Sequence, residues 1–139
     1  MIIIADSSAL VCLATCEALF LLDKLFEKIQ VPQFVYQECS AETKPFSDTL
    51  AKYLKDKITN VNFQENELIP KSLGRGETEA ILLYKQQMAD YILIDDNRGR
   101  KVASLNNCRI IGSLGILLLA KKKGLIKEIT PYYCTLLFF

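Results

Sequence analysis

Histidine is absent from this 139-residue chain. Without an imidazole there is no Ser-His-Asp or Cys-His relay and no His-ligated zinc. Catalysis, if there is any, falls to carboxylates, lysines, hydroxyls or a hard metal held by oxygen. The five cysteines do not fill the gap, because no Cys-x-x-Cys pair occurs among them. Cys12 and Cys16, four apart in an expected helix, read as core residues, and the set fits reduced cytoplasmic thiols. No glycine-rich turn follows the first apolar run, which excludes the dinucleotide-binding loop. A formal net charge of +1 lacks the bulk positive field of a non-specific nucleic-acid binder. Ser8 to Leu22 is apolar, but no basic residue precedes it, and Asp6 and Glu17 interrupt the stretch 1–22. Neither a signal peptide nor a membrane span is expected, and one cytoplasmic domain over residues 1–139 is.

Half of the residues are apolar and a quarter are charged, enough to build a core without staples. Ile2-Ile3-Ile4-Ala5 reads as a buried first strand, followed by helices at Ser8–Phe20 and about Ala18–Glu27. Further strands are expected at Ile29–Val31, Ile58–Phe63, Tyr91–Ile94 and Cys108–Ile111. Helices are expected from Pro32 through Glu38, then at Asp48–Lys57, Glu77–Met88, Arg98–Leu105 and Ser113–Lys123. Strands alternating with helices predict a three-layer α/β/α fold, with a central, mostly parallel sheet of four or five strands.

Acidic residues recur where such a fold presents its ligand-binding edge. Asp6 ends the first strand, with Ser7 and Ser8 after it. A carboxylate there needs a metal ion, a basic side chain or a proton, since burying an unpaired charge is costly. Glu38 lies three residues after Val35, on the same helix face. Stepping 100° per residue from Glu77 finds Ala80, Ile81, Tyr84 and Met88 on its side, so Glu77 is expected to point inward and Glu79 to sit at the rim. Asp95-Asp96 directly follow Leu93-Ile94, and one of the two is expected to face the cleft. Arg98, Arg100 and Lys101 come soon after and suit backbone phosphates. Each acid also has a structural explanation, as a helix cap or as favourable charge at a helix start. Asp6 lacks the second aspartate two residues later that a haloacid-dehalogenase-like phosphatase wants.

Asp6-Ser7-Ser8, Val31-Pro32 through Val35 and Glu38, Gly76-Glu77-Thr78-Glu79-Ala80-Ile81 and Leu93-Ile94-Asp95-Asp96 resemble the PIN domain, the fold of VapC-type toxin ribonucleases. Arg98, Ala103 and Ile110-Ile111-Gly112-Ser113-Leu114-Gly115 extend the resemblance over nearly the whole chain. It implies Mg²⁺ or Mn²⁺ held by acids matching Asp6, Glu38, Glu77 and Asp96, with Asp95 as the neighbouring candidate. It implies endonucleolytic cleavage of RNA, a cognate antitoxin and a homodimer. The rival expectation is a PIN-like module that binds RNA or a protein without cutting it. The final Leu136-Leu137-Phe138-Phe139 is apolar and is expected to be covered, by its own domain or by a partner.

Overall fold

The opening isoleucine run forms β1 (Ile2–Ala5), and its side chains alternate between two cores. Ile3 and Ala5 pack on one side of the sheet and Ile4 on the other, as a strand buried on both faces requires. The computed structural model describes residues 1–63 and 68–132. After β1 come α1 (Ser7–Thr15), α2 (Phe20–Leu25), β2 (Lys28–Gln30), α3 (Gln33–Ser40) and α4 (Ser47–Leu54). The second half holds α5 (Arg75–Gln86), β3 (Tyr91–Leu93), α6 (Asn97–Leu105), β4 (Ile110–Ile111) and α7 (Ser113–Lys122).

The four strands make one all-parallel sheet in the order β2-β1-β3-β4. Leucines of α1, α2 and α4, with Val35 of α3 and Ile116 and Leu117 of α7, cover the Ile3 face. Ala80, Ile81 and Leu83 of α5, with Val102 and Ala103 of α6, cover the Ile4 face. This is the three-layer α/β/α fold. The helix after β1 and the helix after β3 lie on opposite faces, so the strand order reverses between these two neighbours. A crevice opens at the carboxyl ends of strands at such a point. Asp6 follows β1 there, with its backbone N–H donating to Leu93 O at 2.9 Å.

Two elements differ from the sequence expectation. The first helix stops at Thr15 rather than Phe20, because Glu17 takes a left-handed conformation (φ 56°). Ala18 N then donates to Leu13 O at 2.8 Å, and the chain restarts as α2 in a new direction. Ile58–Phe63 is not a strand. Ile58 makes a single parallel bridge to Val31, after which the chain turns toward α5. There Asn62 N donates to Gln86 Oε1 at 2.9 Å and Val61 packs against the α5–α6 core. Among the described residues no helix is long and apolar enough to cross a membrane. The expectation for Leu136 to Phe139 falls outside the described residues.

Candidate acidic active site

Asp6 occupies the N-cap position of α1, yet its side chain makes no capping hydrogen bond. It is 1% exposed. Its Oδ2 accepts from Ser8 Oγ at 3.0 Å, while Oδ1 is buried without a hydrogen-bond partner among the described residues. Burial, then the nearby Glu77 carboxylate and more weakly that of Glu38, push the Asp6 carboxyl up from 3.8 to about 7. Ser8 Oγ also accepts from Asp95 N at 3.1 Å, so one hydroxyl ties the end of β1 to the end of β3.

Glu38 reaches the same region from α3. Its Oε1 is likewise buried and unpartnered among the described residues. Burial raises its carboxyl, Glu77 raises it further, and the Lys44 ammonium opposes both. Val35 and Glu38 do share a face, and that face meets Gly76 of α5. A Cβ at position 76 would overlap Glu38 Oε1 and stand 3.6 Å from Val35 Cγ2. Glycine therefore lets the helix that carries Glu77 approach Glu38 closely.

Glu77 lies in the first turn of α5 and is half-buried. Its electrostatic effect on both Asp6 and Glu38 places it with them. The rim position expected for Glu79 is wrong. Glu79 is 4% exposed, more buried than Glu77, and its Oε2 accepts from Arg75 Nε at 2.9 Å. Leu82 and Leu83 share Glu79's side, so α5 is buried on two flanks rather than on the Glu77 flank alone. Arg75 covers that carboxylate and stacks on the Phe34 ring of α3, 4.7 Å from its centroid.

The two aspartates after β3 separate as their adjacency implied. Asp96 is the N-cap of α6, its Oδ2 accepting from Gly99 N at 2.8 Å. A Cβ on Gly99 would overlap Ile94 Cδ1 and stand 3.2 Å from Glu77 Cγ and 3.4 Å from Asp96 Oδ2, so glycine lets α6 start close to Ile94 and both acids. Asp95 turns toward α7 instead. Its Oδ1 accepts from Ser113 N at 2.8 Å and its Oδ2 from Ser113 Oγ at 2.6 Å. Both of its oxygens are engaged in fixing the start of α7.

Among the basic candidates, Arg98 donates to Ser72 Oγ. Arg100 lines a recess with Asp95 and Ser113, and Lys101 is exposed. Ser7 lines a second recess beside Glu38. Sequence reading missed Gly76 and Gly99 as the spaces between acids. It also missed Lys44, whose only signal was a lysine before a proline six residues after Glu38.

Among the described residues, no three Asp, Glu or Cys side chains stand grouped as metal ligands. The donor set still fits a hard cation. Two orphaned buried carboxylate oxygens lie beside a third carboxylate that raises both of their pKa values, and all three supply oxygen.

A parallel α/β/α sheet with an acidic crevice at its switch point defines the class. A family model described as PIN domain matches residues 2–137. The chain belongs to the PIN domain family, whose members are generally nucleases that typically use divalent metals. No curated protein matches it.

Proposed function

We propose that the chain is a metal-dependent endoribonuclease that cleaves RNA phosphodiester bonds, and that it is the VapC-like toxin of a toxin–antitoxin pair. The observation that carries the nuclease chemistry is Asp6, buried at the carboxyl end of a central strand with Oδ1 unpartnered among the described residues. Asp6, Glu38 and Glu77 would hold Mg²⁺ or Mn²⁺, with Asp96 at the fourth side. When bound, such an ion supplies neutralisation of the acids and Lewis-acid activation of water and phosphate. Before it binds, burial and the neighbouring carboxylates keep Asp6 about half protonated near neutral pH. Ser8 orients Asp6, and Arg98, Arg100 and Lys101 meet backbone phosphates. An antitoxin and a second copy of the chain are the proposed protein partners, and the cytoplasm its compartment.

A silent PIN-like module that binds RNA or a protein partner is favoured by one specific observation. Among the described residues no three acids are grouped as ligands, while Asp96 caps α6 and Asp95 holds Ser113 at the start of α7. Incubating purified protein with RNA separates the two. Cleavage that requires Mn²⁺, stops with chelator and is lost in Asp6→Asn supports the enzyme. RNA bound but left intact under every metal supports the module.

A further inference from the structure

Beside the acids, a recess of about 290 Å³ is formed by Ser7 and Ser8 of α1, Glu38 and Cys39 of α3, and Lys44 and Pro45 of the following loop. That volume is at the lower end of small-ligand sites, roughly 300–1,000 Å³, and suits one nucleotide unit rather than a folded partner. Lys44 is exposed, and its backbone N–H donates to Ala41 O at 2.9 Å, closing a turn directly after α3. Among the described residues its ammonium has no ion-pair partner. It is also the cation that acts on Glu38 against the field of the other acids.

This geometry creates a problem for any polynucleotide. A phosphodiester chain brought to three carboxylates is repelled unless positive charge flanks the path. Arg98, Arg100 and Lys101 supply it from α6, on the far side of the sheet from α1. On the α1–α3 side the recess has Lys44.

We propose that Lys44 is a positioning residue. It holds the phosphate of the nucleotide adjoining the scissile bond, and that nucleotide lies in the Ser7–Glu38–Pro45 recess. The substrate is then single-stranded RNA threaded across the acids, gripped from α6 on one side and by Lys44 on the other. This rests on the ribonuclease function proposed above.

The test is equilibrium binding of a labelled single-stranded RNA to the full chain in chelator, where no cleavage occurs, over a range of salt concentrations. Each phosphate contact on a single strand contributes about 0.7 to the slope of log affinity against log salt. Lys44→Ala should weaken binding severalfold at low salt and reduce that slope by about 0.7, and Lys44→Arg should restore both. Lys123→Ala, at the far end of α7, should change neither. Lys44→Ala binding like Lys123→Ala, from a wild-type chain that does cleave RNA, would overturn the role of Lys44 and leave the nuclease intact. An altered Mn²⁺ affinity with an unchanged salt slope would also overturn it, by showing that Lys44 serves only Glu38. A Lys44-dependent slope in a chain that never cleaves would uphold the RNA contact and overturn the nuclease. Absence of RNA binding in chelator together with absence of Mn²⁺-dependent cleavage by wild type would sink both.

Discussion

Burying Asp6 costs the metal-free protein stability, because its ionised form loses water and gains only the Ser8 hydroxyl and the Ser7 backbone in return. Its carboxyl titrates near 7 in the fold against 3.8 ordinarily, so between those values the folded state carries the extra proton. Stability contributed by this group is therefore present below about pH 4, falls as pH rises, and is fully lost above about pH 7. The difference is on the order of 4 kcal/mol at most. Asp6→Asn should melt several degrees above wild type at pH 8 in chelator, with the gap shrinking to about a quarter by pH 4.5, by differential scanning calorimetry. A mutant gap that does not change with pH would contradict the burial argument. The glutamates of α5 divide differently. Glu77→Gln should abolish Mn²⁺-dependent cleavage while leaving metal-free stability undiminished, since it removes a charge that repels Asp6 and Glu38. Glu79→Gln removes the charge opposite Arg75, whose side chain is 66% exposed, so it should cost about 1–2 kcal/mol of stability and leave more activity than Glu77→Gln. Urea titrations and cleavage assays on both variants check this, and equal activity losses would refute the division.

The elements were legible wherever apolar periodicity was strong. Ile2 to Ala5, the Leu93–Ile94 strand and the helices around Ala80–Leu83 and Ile116–Leu117 follow from their patterns alone. Breaks set by a single backbone angle were not legible. Glu17 reads as an ordinary helical residue, and only its left-handed φ separates α1 from α2. At Ile58–Phe63 the apolar positions Ile58 and Val61 serve different cores, which a local alternation cannot reveal. The acids were legible as candidates, but the division of labour between Asp95 and Asp96 depends on Ser113, far along the chain, and the burial of Glu79 on the packing of a second flank of α5 beneath Arg75 one turn earlier. Gly76 tests how the elements are set against each other. Alanine is favoured over glycine in a helix by about 1 kcal/mol, so Gly76→Ala should not lower stability if Glu38 can swing away. Its Cβ displaces Glu38 Oε1, so Mn²⁺ affinity should fall at least about tenfold, on the scale of one lost ligand contact. Unchanged affinity by calorimetry would mean that Glu38 is not part of the site.

At the scale of the molecule, a nearly neutral chain that cleaves RNA as proposed must do so with local rather than global charge. Its basic residues therefore matter by placement, beside the crevice. The proposed homodimer is checked by light scattering on the full chain and on one ending at Cys134. A full-length dimer is expected, and a monomer at micromolar concentration would refute it. If truncation leaves the dimer intact, the apolar Leu136–Phe139 segment is not what joins the copies. The most direct test of the central claim, that acids at the sheet switch point bind a divalent cation, is calorimetric titration of the purified chain with Mn²⁺ at pH 7. Wild type should bind with proton release, because Asp6 must ionise to become a ligand. Asp6→Asn should lose that binding while keeping its fold by circular dichroism. Wild-type protein that takes up no Mn²⁺, or a mutant that binds it equally well, would contradict the claim.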